Sequence, residues 1–367
     1  MRTVPAQAAF VHLSKPVRAT ANCRVEAMLE KPEIDEDTVA AYVQDAYGLE
    51  VAGITFLPLG ADSNSAVYRV VDRTGRPFFL KLRSGDFAES SVTLPRFLRD
   101  HGLSQIIAPL ADQAGRLWND LGDFKLILYP FVEGRDGYKV SLTEPQWIEV
   151  GAALRRLHTL ALPPELSRSI RREAYAPVWR DRVKGWLARV EVETFDEPVA
   201  AETATLLRAQ RDAIGDLVGR AERYARALRR RSLLPVVCHG DLHAGNFHLT
   251  GDGRLYIVDW DEPVLAPKER DLMFAGAGLM GGWRSPEEEE ALFYQGYGPA
   301  EADRQALAYF RYERIIADIA VYSEELLGTT DGGDDRAQSL RYLRSNFEPG
   351  GTIEIARESD RSSPGRK

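Results

Sequence analysis

Residues 236–246 read Val236-Val237-Cys238-His239-Gly240-Asp241-Leu242-His243-Ala244-Gly245-Asn246, and Leu255-Tyr256-Ile257-Val258-Asp259-Trp260 follows shortly after. Val236 to Cys238 predicts a short buried strand that delivers the polar loop behind it. Phe247-His248-Leu249 and Leu255 to Val258 flank Gly251-Asp252-Gly253, which predicts a hairpin. The hairpin returns Asp259 to the side of the loop that carries Asp241 and Asn246. Phosphoryl transfer from a nucleotide asks for little covalent chemistry. It needs a carboxylate to hold the attacking hydroxyl and hard oxygen ligands for magnesium ions that neutralise the phosphates. Asp241 suits the first task; Asn246 and Asp259 suit the second. Ordinary turns also use Asp and Asn beside Gly, and His239 and His243 near carboxylates would also suit a metal hydrolase.

The upstream sequence bears on that choice. Three strands are predicted at 54–59, 65–72 and 77–83, with a hairpin turn at Asp72-Arg73-Thr74-Gly75-Arg76. In the third, Lys81 stands between Leu80 and Leu82, where its ammonium can reach the α- and β-phosphates of a nucleotide. A snorkelling surface lysine would read the same way. Glu89, on a helix predicted over 87–101 and bent at Pro95, is the expected ion-pair partner of Lys81. It would equally serve to complement the helix dipole. Between the first two strands, Gly60 to Ser65 holds one glycine, and Ser63, Asn64 and Ser65 offer donors to phosphate oxygens. Tyr129, Phe131 and Val132 offer backbone groups and aromatic walls to an adenine ring. The joint occurrence of Lys81 and Glu89 with the Asp241 loop favours the phosphoryl-transfer reading over the bland ones.

The loop follows the H-R-D-L-x-x-x-N pattern of protein kinases, with Gly240 in the Arg position. Together with Lys81, Glu89, Asp259-Trp260 and Asp271-Leu272, it resembles the aminoglycoside phosphotransferase and choline kinase group of kinase-like enzymes over roughly 40–325. Gly60 to Ser65, Phe87 to Ser91 and Ile106 to Leu110 look most like spectinomycin phosphotransferases. The resemblance implies an α+β, bilobal protein-kinase-like fold, with a small antiparallel sheet in the N-lobe and a larger, mainly helical C-lobe. It implies Asp241 as catalytic base, with Asn246 and Asp259 on Mg2+, Lys81 on the phosphates of ATP, and Asp271 in a structural role. His239 is expected to support the loop through its ring nitrogens. The short interval from Trp260 to Arg270 leaves no room for a long switch segment, so no activating phosphorylation is expected. The acceptor is then a small-molecule hydroxyl, an aminocyclitol or aminoglycoside antibiotic. The alternative is a metabolic kinase of a sugar, amino alcohol or natural-product intermediate, and a catalytically silent nucleotide-binding module is the third reading.

Composition sets the outer bounds. The 367 residues carry a net charge of −8, with 47 basic and 55 acidic side chains. That acidity argues against nucleic acid or anionic lipid as partners and is compatible with a cationic acceptor. Acidic candidates to hold such an acceptor are Asp261, Glu262, Asp318, Glu324 and Glu325; aromatic ones are Trp179, Trp260, Trp283 and Tyr312. Two cysteines far apart form neither a disulfide framework nor a zinc spacing. The N-terminus lacks a secretory pattern, which points to a cytoplasmic protein. Residues 1–27 are expected as a flexible leader, 28–132 as the nucleotide-binding lobe, 133–346 as the catalytic and substrate lobe, and 347–367 as a disordered tail. Helices are predicted at 36–47, 144–160, 173–193, 198–230, 286–297, 301–327 and 335–346.

Overall fold

The computed structural model describes residues 32, 34–57, 64–329 and 333–361. The expected leader lies outside them. Helix α1 (Glu36–Tyr47) starts at Asp35, whose carboxylate accepts the Thr38 N–H, and stops at left-handed Gly48. Strands β1 (Val51–Leu57), β2 (Ser65–Asp72) and β3 (Pro77–Ser84) follow, then helix α2 (Ser90–Asp100) and strands β4 (Asn119–Leu121) and β5 (Phe124–Pro130). They form one antiparallel sheet in the order β1-β2-β3-β5-β4. The predicted turn after β2 is present: the Asp72 carboxylate accepts the N–H groups of Thr74 and Arg76.

The period of two in these strands makes the cleft. Tyr68, Val70, Leu80, Leu82, Leu126 and Leu128 form a buried face with Val39 and Val43 of α1. Their neighbours in sequence must then point the other way. Val67, Arg69, Phe79, Lys81 and Tyr129 accordingly line a cleft of about 650 Å³ on the opposite side of the sheet. Lys81 sits in register between Val67 and Ile127.

The C-lobe holds the remaining elements. Strand β6 (Arg135–Asp136) leads to α3 (Glu144–Thr159), α4 (Pro164–Ser169), β7 (Arg171–Arg172), α5 (Val178–Val192), α6 (Pro198–Ala209) and α7 (Arg211–Leu228). Strand β8 (Val236–Cys238), a 3-10 turn (Ala244–Asn246), β9 (Phe247–Leu249), β10 (Leu255–Ile257) and β11 (Val264–Ala266) carry the polar loops. Helices α8 (Glu269–Leu272), α9 (Pro286–Tyr297), α10 (Arg304–Gly328), α11 (Gly333–Ser345) and α12 (Thr352–Arg361) complete the described chain. The bilobal α+β architecture is the one expected. One apolar core joins α2, α3, β8 to β11 and α9; a second joins α5, α6, α7, α10, α11 and α12. Helices α3 and α9 cross at two glycines: a Cβ on Gly151 would lie 2.1 Å from the Phe293 carbonyl, and one on Gly296 1.8 Å from that of Ile148. Only glycine permits that approach.

Several boundaries differ from the sequence reading. The helix expected over 198–230 is two helices broken at Gln210, and that over 173–193 starts only at Val178. The largest correction is the tail. Residues 352–361 form α12, with Ile353 and Ala356 buried against the second core. Asp360 receives the hydroxyls of Tyr224 and Tyr312 and an Arg220 N–H, so polar tertiary contacts order a segment whose composition looked disordered. Among the described residues, no helix is long and apolar enough to cross a membrane.

Candidate active site

Strand β8 ends at Cys238 and the chain turns at once through Gly240, whose φ of 85° lies in the left-handed region. Arginine in this place would be strained, so the glycine is a conformational requirement of this loop. Asp271 holds the turn from below. Its two carboxylate oxygens accept the backbone N–H groups of His239 (2.9 Å) and Gly240 (2.7 Å). His158 on α3 lies 3.1 Å from Asp271 and 2.8 Å from the Tyr297 hydroxyl. Burial pushes the Asp271 carboxyl up, but His158, His239 and the loop N–H groups outweigh it and keep it below the usual range. Asp271 is thus the pillar of the loop, as expected. His158, Cys238 and Asp271 also come within reach of a common ion. The hydrogen bonds of His158 and Asp271 are already committed, however, and burial pushes the Cys238 thiol well up, so this group is structural.

His239 ties the loop to the hairpin. Its Nε2 donates to the Val258 carbonyl at 2.9 Å, and its Nδ1 accepts the Asp241 N–H at 3.3 Å. That fixes the tautomer and leaves the ring as a support, edge-on to buried Trp260. The 3-10 turn is capped by His243, whose Nδ1 accepts the Gly245 N–H; its Nε2 then carries the proton and lies 3.6 Å from an Asp241 oxygen. Asn246 donates from Nδ2 to the Asp241 carbonyl at 2.7 Å. Its Oδ1 is buried and accepts no hydrogen bond. Asp259 stands at the cleft with φ 65°, a conformation few side chains other than Asp and Asn accept. The register of β9 with β10 brings it back beside Asn246: Phe247 pairs with Ile257, and the Val258 N–H donates to the Asn246 carbonyl.

On the sheet side, Lys81 Nζ donates to Asp261 at 2.6 Å, and Arg83 lies 3.2 Å from the same oxygen. The expected Lys81–Glu89 pair is absent. Glu89 is exposed at the start of α2, so its carboxylate is solvated while Asp261 comes up from the loop after the hairpin. Burial lowers the tendency of Lys81 to hold its proton, but Asp261 and Asp259 outweigh it and the net shift is upward. Tyr129, Phe131 and Val132 line the cleft. The Val132 carbonyl is taken by His248 Nε2 at 2.9 Å, and Arg69 stacks over Phe131. Ser65 lines the cleft, the Asn64 carbonyl accepts the Ser84 N–H, and Ser63 lies outside the described residues.

The residues proposed to hold an acceptor do not converge. Asp261 is committed to Lys81 and Arg83. Glu324 is exposed near Arg182, Glu325 accepts from Ser339, and Glu262 is half-buried near Arg171 with its carboxyl pushed up by burial. Tyr312 bonds Asp360, and Trp179 stacks with Arg182. Trp283, half exposed, donates to the Gly137 carbonyl at 2.9 Å. Asp318 is the exception. It is buried on α10 and lies 3.0 Å from Arg314, whose Nη1 pairs with Asp241. Neither Arg83 nor Arg314 was singled out by the sequence; Arg83 followed from the strand alternation that selected Lys81, while Arg314 carried no signal.

Comparison with known proteins agrees with this geometry. The profile of the Phosphotransferase enzyme family (APH) matches residues 55–310. The solved spectinomycin phosphotransferase APH(9)-Ia, in complex with ADP and spectinomycin, is 34% identical, with a TM-score of 0.82 over 89% of this chain and 99% of that one. The protein StrN of Streptomyces griseus is 26% identical over 311 residues, 82% of this chain and 89% of StrN. The amicoumacin kinase hAmiN, 19% identical with a TM-score of 0.57 over 89% of this chain and 94% of its own, shares the fold.

Proposed function

From the premise that this chain belongs to the Phosphotransferase enzyme family, we propose that it moves the γ-phosphoryl group of ATP to a hydroxyl of an aminocyclitol, spectinomycin first among them. The observation that carries the reading is that Lys81 and Asp259 line one cleft with Tyr129, Phe131 and Val132, while hydrogen bonds from Val258 to Asn246 and from Asn246 to Asp241 tie the Asp241 loop to the Asp259 strand end. The similarity to APH(9)-Ia supports both the nucleotide and the acceptor class.

Each residue then has one task. Tyr129 to Val132 and the cleft-side face of the sheet, with Val67 and Phe79, take the base of the nucleotide, and Lys81 moves from Asp261 to the phosphates. The buried, unpartnered Oδ1 of Asn246 and the carboxylate of Asp259 are hard oxygen donors that fit Mg2+. When bound, the ion neutralises phosphate charge. Asp241 accepts the proton of the attacking hydroxyl as the new O–P bond forms and the bond to the β-phosphate oxygen breaks, releasing ADP. Asp241 and Asp318 together outnumber the single cation Arg314 between them, a surplus of negative charge suited to an amine-bearing acceptor.

An ADP-release screen of the purified chain tests this, with Mg-ATP and spectinomycin, aminoglycosides, neutral sugars and choline-like alcohols. Phosphorylated spectinomycin, identified by mass, is the expected product. Turnover of a neutral sugar in preference to every aminocyclitol would replace the antibiotic reading with a metabolic kinase; no ADP release with any alcohol would reject the enzyme reading.

A further inference from the structure

We infer that Arg314, braced by Asp318, is a positioning residue for Asp241. The inference rests on the reading of Asp241 as the base.

Arg314 comes from the middle of α10, 73 residues beyond Asp241, and only 8% of its side chain is exposed. Its Nη1 donates to Asp241 Oδ1, its Nε lies 3.0 Å from Asp318 Oδ1 one turn along the helix, and its guanidinium lies over the Phe274 ring at 5.8 Å. The other buried arginines of the C-lobe do something else. Arg311 donates to the carbonyls of Met273 and Ala275; Arg180 to those of Tyr175 and Ala176; Arg336 to those of Leu326, Thr329 and Glu325. Those three close loops and helix ends. Arg314 donates to no backbone carbonyl: both of its polar partners are carboxylates, and one is Asp241.

A guanidinium is a planar fork whose N–H directions are fixed relative to one another. With Asp318 Oδ1 3.0 Å from its Nε and the Phe274 ring beneath it, the guanidinium reaches Asp241 from a place set by α10. The Asp241 carboxylate takes that donor on Oδ1, so its orientation is coupled to α10. On the other side, His243 Nε2 lies 3.6 Å from Asp241 Oδ2. Two side chains from different elements thus frame one carboxylate. A group that must meet a hydroxyl in one geometry is sensitive to errors of an ångström, on the order of 100-fold in rate. Asp318 is the brace that keeps the buried cation in place. Burial pushes its own carboxyl up to about 6, as expected where two carboxylates share one arginine.

The test uses the full chain, with ADP release read with spectinomycin and with water alone as acceptor, alongside melting temperature and binding of a non-hydrolysable ATP analogue. Arg314→Lys keeps the charge but loses the fork; Arg314→Met with Asp318→Asn removes the cation and its brace together, so that Asp318 is not left as a lone buried charge. Expected are a kcat lowered about tenfold in Arg314→Lys and about 100-fold in the double variant, with analogue affinity within threefold of wild type. Added ethylguanidinium is expected to recover part of the kcat of Arg314→Ala, which a merely structural role would not allow. Wild-type kcat in folded Arg314→Lys overturns the inference. Asp241→Asn, run beside them, separates the two levels. If it keeps turnover, the base assignment falls and this inference with it; if it is inactive while the Arg314 variants turn over normally, this inference alone falls.

Discussion

Two clusters of buried charge stand at the candidate active site, and their ion pairs are built in opposite senses. At the sheet, two cations, Lys81 and Arg83, share the one carboxylate of Asp261. At α10, two carboxylates, Asp241 and Asp318, share the one cation Arg314. Burying an ion pair gains little net stability, because desolvation offsets the attraction. The clusters are better understood as sites kept ready. On the proposed function, the first exchanges Asp261 for phosphate oxygens and the second keeps a proton acceptor oriented beside them. The difference teaches how a single cleft separates a donor anion from an acceptor whose proton must leave.

The comparison breaks most visibly at Asp259, which lines the cleft with Lys81 and follows the strand bonded to Asn246. Asp259→Ala is expected to weaken magnesium-dependent binding of an ATP analogue by about 100-fold, the scale of losing one charged ligand. Titration with and without magnesium checks this, and an unchanged magnesium dependence would reduce Asp259 to a turn residue. Next in size is α12, which packs Thr352, Ile355 and Ala356 beside Arg314 and Asp318. Truncation after residue 350 should expose that side of the α10 cluster and lower stability by about 2–4 kcal/mol, from the lost burial of Ile353, Ala356 and their neighbours. A melting temperature within a degree of the full chain would show that α12 contributes nothing.

A third buried carboxylate sharpens the contrast. Among the described residues Arg284 is the cation that acts on Glu289, and burial pushes the carboxyl up to about 8. Between about 4.5 and 8 the folded chain keeps a proton there that the unfolded chain has lost. Stability therefore falls as pH rises through that window, by up to about 1.4 kcal/mol per pH unit. Glu289→Gln should remove that slope and stabilise the chain near pH 8 by about 2 kcal/mol, read from melting temperatures across pH. A variant equally stable at pH 5 and less stable at pH 8 would contradict the assignment. The smallest effect is expected at Arg83. Arg83→Met leaves Asp261 to neutralise Lys81 alone, and analogue affinity should drop about tenfold, the scale of one charge-assisted contact. Unchanged affinity would remove Arg83 from the nucleotide side.

The two clusters were not equally legible in the sequence. Lys81 was visible because a charge between apolar residues of a strand must emerge on the face opposite the core. The polar loop and hairpin were visible because short range decides them: the turn residues set how Asp259 returns to Asn246. Partners chosen by the tertiary fold were not visible. Asp261 meets Lys81 across 180 residues and lies in a turn without periodicity, so nearby Glu89 looked the better partner. Arg314 is one of several charges on a long helix, and nothing local marks the one that turns inward. The tail was misread for the same reason. Its apolar stripe is short, Ile353, Ile355 and Ala356 among charged neighbours, and its order draws on Asp360 meeting Tyr224, Tyr312 and Arg220.

The central claim is the division of labour, and a crossed pair of variants tests it most directly. Lys81→Met and Asp241→Asn are each measured for ATP-analogue affinity and for ADP release at saturating Mg-ATP with spectinomycin. The account predicts that Lys81→Met loses affinity by about tenfold or more, while Asp241→Asn binds the analogue as wild type does and loses turnover by a factor on the order of 1,000. Near-normal turnover in folded Asp241→Asn, or unaltered affinity in folded Lys81→Met, would contradict it.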